Sequence, residues 1–356
     1  MKPGLSASFQ TAMPPERFRA LDWLRGGAVL VMVQCHAMNK WLLHELRGSA
    51  LFHRLDFVDG LVAPSFLFAA GFSLALVQLR AGATAERIRK SARRMGEVLA
   101  VAVLLTAIWF PVFREPRWLL RLDILHCLGL TLLFVLGVLW ALARAPALLV
   151  PLFVALGAGA FALAPLAEHA PAWLSPFVST KLGNPPSTPS ESIFPLLPWA
   201  GHVLLGAAAG TVAARHGRRA LAAWLLGQAL VGSALWWNAD AVTALFPPHD
   251  RWVNGAAWHG NKFAWVTGMA LLLLGVERLV QGAPGPLRRG LERLGTSSLS
   301  AYAVHQLALS RQQPVLGWGA YWAATAGLLA FTYVGVLGVE WAEAAWARRR
   351  PAAAVR

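Results

Sequence analysis

Charge is what this sequence has least of. Asp, Glu, Lys and Arg make up 14% of its 356 residues, against roughly a quarter in an ordinary soluble domain. That scarcity argues against a water-soluble fold. Cysteine is nearly absent too. Cys35 and Cys127 are the only two, and both fall inside long apolar runs, which excludes a disulfide framework and a CxxC metal site. No His-x3-His or comparable spacing supports a metal site among the ten histidines. No cleavable signal peptide is evident, because the first apolar block is long enough to span a bilayer and others follow it. Neither a soluble domain nor a convincing internal repeat is legible.

What is present is apolar and comes in blocks. The chain is 57% hydrophobic with a mean hydropathy of +0.51. The blocks are about twenty residues long, the length that spans a bilayer core. Backbone groups there must be satisfied internally, so each block is helical or part of a closed barrel. Continuous Leu, Ala and Val runs, rather than short alternating segments, select helices. The expected fold is all-α: a polytopic membrane helix bundle of about ten spans. They are placed at 21–43, 58–79, 95–113, 119–142, 147–167, 193–214, 219–237, 262–281, 291–312 and 319–346. Residues 1–20 read as a cytoplasmic N-terminal segment, 21–346 as the transmembrane domain and 347–356 as a basic cytoplasmic tail.

The net charge is +15. Its basic residues cluster between apolar blocks, as topology signals do, which favours anionic lipid over nucleic acid as their partner. Counted over alternate connections, 21 Lys and Arg fall on the side of the termini and 10 on the other, with Arg25 inside the first span completing the 32. The positive-inside rule therefore predicts that both termini are cytoplasmic. The long opposite loops near 168–192 and 238–260 are rich in Pro, Asn, Ser and Trp and read as ordered or substrate-facing. A homo-oligomer is compatible with the pattern.

Ionisable groups inside spans are costly and mark function by default. The first span carries Asp22, Arg25, His36 and Asn39. Arg25 and His36 differ by only about 20° around a helix, with His36 about 16 Å further along; Asp22 and Asn39 fall within roughly 60° of the same line. His126, His202 and His305 are expected at a similar depth, so that four imidazoles would converge on one polar cavity. Asp123, three residues before His126, is placed to fix that ring's tautomer. A snorkelling Arg25 paired with Asp22, and core histidines bonded to carbonyls, are the plainer readings of each group alone. His44 and His53 would hang over such a cavity. Asn261 and Lys262, beside Trp258 and Trp265, would suit sugar hydroxyls and C–H faces. The shape suits a long phosphate-bearing donor such as acyl-CoA entering from the cytoplasm, with a histidine taking the acceptor's proton or carrying the acyl group.

At these residues a family resemblance emerges. Leu21-Asp22-Trp23-Leu24-Arg25-Gly26 with Met32 and His36 resembles the opening of the heparan-alpha-glucosaminide N-acetyltransferase catalytic-domain family. The Arg-x10-His spacing is also similar to that of the related acyltransferase-3 membrane proteins. Further similar blocks are Pro64-Ser65-Phe66-Leu67-Phe68 with Gly71, Asp123 to Gly129, Phe194 to Trp199 ending at Gly206, Asn261-Lys262 before Trp265, and Leu294-Gly295 through Tyr302 and His305. Together they cover roughly residues 17–310. The resemblance implies acetyl transfer across a membrane, from cytoplasmic acetyl-CoA as co-substrate to a carbohydrate or glycolipid acceptor, with no bound cofactor. A bacterial inner membrane follows from the family's range. It implies that Arg25, with Asp22, helps hold the donor, and that the catalytic histidine is His36 or His44. The alignment with Arg25 favours His36. The rival is a secondary transporter for a small polar substrate, with helices broken at Pro64, Pro195 and Pro198. The choice between hydroxyl and amine acceptors stays open.

Overall fold

A computed structural model describes residues 17–82, 84–171, 173–178, 192–280, 285–309 and 315–349. Most of the 168–192 loop, most of the N-terminal segment and the end of the basic tail lie outside them. Thirteen α-helices follow in order among the described residues: α1 (Arg19–Trp41), α2 (Ala50–Asp59), α3 (Val62–Ala81), α4 (Ala85–Trp109), α5 (Ile124–Ala141), α6 (Leu149–Leu163), α7 (Ser175–Val178), α8 (Leu196–Trp237), α9 (Ala239–Thr243), α10 (Ala256–Leu279), α11 (Pro286–Thr296), α12 (Ser298–Ala308) and α13 (Trp318–Arg349). No strand occurs among these residues; Leu42 and Leu316 form a single isolated bridge. Both cysteines are free.

Five of these helices are long and apolar enough to cross a membrane: α2–α3 together, α5, α6 with its flanking turns, α8 and α13. Apolar side chains such as Leu104 and Ile108 on α4, and Phe331, Val334 and Trp341 on α13, point outward. A helix with apolar residues on its outward face belongs in lipid, and the chain is an integral membrane protein.

The 42 residues of α8 would be about 63 Å long if straight, twice a bilayer core. They are not straight. Gly217 has φ 77°, a left-handed value that a side chain would resist. The helix turns back there, so that Leu221 and Leu225 join Leu205, Ala209 and Ala213 in one core, and the Gln228 amide donates to the Leu205 carbonyl. The expected spans 193–214 and 219–237 are these two halves.

Several boundaries differ from expectation: α4 starts at Ala85 and α10 at Ala256, ahead of the expected 95 and 262, and two further differences bear on the site. The segment 291–312 is not one span. It breaks at Ser297, whose ψ is 30°, into α11 and α12, and α12 ends at Ala308. The polar Thr296-Ser297-Ser298 stretch bonds back locally and to Glu340 instead of extending the helix. The segment 119–142 becomes helical only at Ile124, because Asp123 caps it and 116–120 forms a 3-10 turn.

The start of α1 is anchored by one carboxylate. Glu277 accepts from the Arg19 and Ala20 amides, filling orphan donors of the helix N-terminus, and pairs with Arg218 at 3.0 Å. Glu277→Ala is expected to cost roughly 2–4 kcal/mol, since it strips a charged cap and a part-buried partner together. A lower melting temperature in detergent would report it; an unchanged one would count against this anchor.

Candidate functional site

The sequence builds the first half of the site by letting α11 lie directly on α1. A Cβ on Gly26 would collide with the Leu291 carbonyl, and one on Gly295 with the Asp22 carbonyl. Only glycine permits that approach. The Trp23 indole donates to Glu292 at 3.0 Å across the same contact. After the break at Ser297, α12 then runs beside the later turns of α1 and carries His305 to His36.

His36 Nδ1 lies 2.7 Å from His305 Nε2, with the two ring planes 8° apart. His305 is fully buried, and its Nδ1 is 2.8 Å from the Ala301 carbonyl. A carbonyl only accepts, so His305 Nδ1 carries the proton and its neutral Nε2 accepts. His36 Nδ1 therefore donates to it, and His36 Nε2 is left with a free lone pair. The Gln306 amide, 3.0 Å from the same Nδ1, fits with its oxygen turned toward it, amide O and N being alike in outline.

Tyr302, one turn before His305, packs edge-on to both rings and lies within electrostatic reach of Asp123. Asp123 caps α5: its Oδ1 accepts from the Leu125 and His126 amides, and His126 Nδ1 lies 3.0 Å from that oxygen and 3.4 Å from the Asp123 amide, which donates to it in a capping box. His126 Nε2 is buried with no partner. The expected Asp123–His126 contact is thus present, inside a helix cap that offers His126 Nδ1 both an acceptor and a donor.

The expectation of four converging imidazoles needs correction. His36 and His305 meet against Tyr302, and Asp123, which caps the helix carrying His126, is within electrostatic reach of Tyr302; His202 pairs elsewhere. It is 3.4 Å from His259 Nδ1 on α10, and His259 Nε2 donates to the Val253 carbonyl at 2.9 Å. That pair braces a loop. Among the described residues no group of three His, Cys, Asp or Glu side chains could hold a metal ion.

Lys262 sits between two indoles, 4.9 Å from the Trp258 ring and 5.4 Å from Trp199. Asn261 beside it is buried. Asn39 is exposed and its amide reaches Cys35. His44 is exposed at the head of the 3-10 turn His44–Gly48, outside the His36–His305 contact. At the other end of α1, Asp22 is buried and holds both Arg25 (2.6 Å) and Arg17 (2.8 Å). Two basic cavities open there. One, of 560 Å³, is lined by Arg17, Arg19, Arg218 and Arg278 with Glu277 among them; the other, of 600 Å³, by Arg17, Arg289 and Arg293 with Glu292 and Glu340.

One residue the sequence did not single out is Asp59, at the end of α2. Its carboxylate faces the Cys35 thiol, yet both oxygens are buried without a hydrogen bond of good geometry. One turn earlier, Asp56 lies within electrostatic reach of both Lys262 and Cys35. The end of α2, through Asp56 and Asp59, therefore lies between the Cys35 and Lys262 regions. An acid within the span 58–79 was the available signal.

Residues 17–241 match the family described as heparan-alpha-glucosaminide N-acetyltransferase, catalytic. The chain belongs to this family. The heparan-alpha-glucosaminide N-acetyltransferase family match covers Asp22, Arg25, His36, His44, Asp59, Asp123 and His126, and ends before Lys262 and His305. No curated protein matches the chain. Membership, with the apolar helices, makes the chain a membrane acetyltransferase.

Proposed function

We propose that the protein moves an acetyl group from cytoplasmic acetyl-CoA to a sugar bound at the opposite face of the membrane. About ten spans with both termini cytoplasmic, in a bacterial inner membrane, complete the reading. The observation that carries it is the Ala301–His305–His36 chain, which leaves His36 Nε2 as a free base. The acceptor's amine or hydroxyl attacks the thioester carbonyl as His36 Nε2 takes its proton. The C–S bond then breaks, and the proton passes to the departing thiolate, giving acetylated sugar and CoA. Positive charge on His36 is shared with His305, which acts as the orienting third group of a nucleophile–base pair does.

Support for the donor comes from the opposite end of α1. The basic cavities around Arg17 suit the phosphates of CoA, and the pantetheine arm has about 16 Å of α1 to follow from Arg25 to His36. Asp22 would then act by holding Arg25 and Arg17 in place. Support for a sugar comes from Asn261 and Lys262 beside their indoles.

Purified protein given acetyl-CoA and a panel of amino sugars should release CoA and form acetylated sugar in equal amounts. His305→Ala should lower kcat about ten- to a hundredfold while leaving the KM for acetyl-CoA unchanged, because it disturbs only the base's orientation. A variant with raised KM and unchanged kcat would contradict that role.

A further inference from the structure

A cavity of 490 Å³ lies where the second half of α8 meets α9 and the start of α10. Its size is that of a small-ligand pocket, about 300–1,000 Å³. Trp236, Trp237, Trp252 and Trp258 line it, with Asp240 and Arg251 at its polar side. The Trp252 and Trp258 rings meet edge to face at 5.2 Å, and Trp236 is 5.6 Å from Trp258. Arg251 pairs with Asp240 at 2.9 Å and lies over the Trp252 ring at 5.1 Å.

Interfacial tryptophans that merely anchor a helix point outward to the headgroups. Here Trp236, Trp252 and Trp258 pack on one another beside a charged pair, with Trp237 exposed at the cavity's rim. Indole faces are electron-rich and attract the C–H faces of a sugar ring, while a carboxylate and a guanidinium flank them to bond its hydroxyls. The loop is also tied by its own hydrogen bonds. Asp250 accepts from the Trp252 amide through its side chain and from Val253 and Asn254 through its carbonyl, and His259 fixes Val253. Preorganisation of this kind lowers the cost of binding.

The cavity shares a wall with the site. Trp258 lines it on one side and carries the Lys262 ammonium over its ring; Lys262 lies within electrostatic reach of Asp56 on α2, and Asp59 on the same helix faces Cys35 next to His36. We infer that this tryptophan cavity binds a saccharide unit beyond the one that is acetylated, with the indoles and the Asp240–Arg251 pair as its contacts. The inference rests on the proposed acetyl transfer.

The test compares glucosamine with a tetrasaccharide of β-linked glucosamine, for wild type, Trp252→Ala, Trp252→Phe and Trp237→Ala. Trp237 is 85% exposed, so its loss should leave the fold intact. Wild type should favour the tetrasaccharide through a lower KM. Trp252→Ala and Trp237→Ala should each raise that KM about five- to tenfold, the worth of one aromatic contact, with glucosamine kinetics unchanged and Trp252→Phe in between. Equal use of both acceptors by wild type, or equal losses on both in the variants, would overturn the inference. Tetrasaccharide binding read by intrinsic fluorescence separates the two claims. Binding that weakens in Trp252→Ala without any acetyl transfer would keep the cavity and sink the transferase reading. Transfer to glucosamine with no tetrasaccharide binding would do the reverse.

Discussion

His36→Ala should lower the rate of acetyl transfer about 10²- to 10⁴-fold, the range for removing a general base, and leave acetyl-CoA binding as it was. The rate effect follows from geometry. With His305 Nδ1 committed to the Ala301 carbonyl, His36 Nε2 is the basic atom of the pair, and alanine leaves nothing in its place. The unchanged binding follows from distance, since the arginines that would hold the donor's phosphates sit about 16 Å away along α1. His44→Ala is the paired control. That residue is exposed on the turn after α1, and its loss should leave turnover unchanged. Turnover by purified variants, alongside equilibrium binding of acetyl-CoA, decides the matter. Loss in His44→Ala with full activity in His36→Ala would move the base to the outer turn.

Gly206→Val should prevent the protein from being recovered as a stable, monodisperse species in detergent. The helices α3 and α8 touch backbone to backbone. A Cβ on Gly71 would strike the Val203 carbonyl, one on Gly206 the Phe68 carbonyl and one on Gly210 the Phe72 carbonyl. Small residues at membrane helix contacts permit this closeness, and dispersion over the whole interface rewards it. A valine there meets backbone, which has no rotamer to change, so the cost should exceed the roughly 1–3 kcal/mol usual for overpacking. Gly137 on α5 is the contrast. Nothing lies within 4 Å of a Cβ built there, so Gly137→Ala should be neutral or stabilise by up to about 1 kcal/mol. Thermal unfolding and size-exclusion profiles of the two variants test this. A Gly206→Val protein that melts with wild type would show that α3 and α8 separate freely.

The stripe on α1 was legible in the sequence because helical periodicity alone puts Arg25 and His36 on one face. The turn in α8 was legible as well: His216-Gly217-Arg218 interrupts two apolar runs. His305 could be named as an intramembrane histidine, but its contact with His36 depends on the Ser297 break and on the Gly26 and Gly295 contacts, which are tertiary facts. Asp123 and His126 were correctly paired, yet their role as a helix cap followed only once the helix start was known. His202 was misplaced because depth in the membrane says nothing about direction around a helix bundle. Asp59 and His259 went unread as site residues because each sits at the edge of a span, where a polar residue needs no explanation.

The most direct test of transfer across the membrane uses proteoliposomes with glucosamine trapped inside and labelled acetyl-CoA added outside. Acetylated glucosamine should appear in the lumen while labelled acetyl-CoA stays outside, and His36→Ala vesicles should make none. Product formed only when donor and acceptor share a compartment, or formed equally by His36→Ala, would contradict the account.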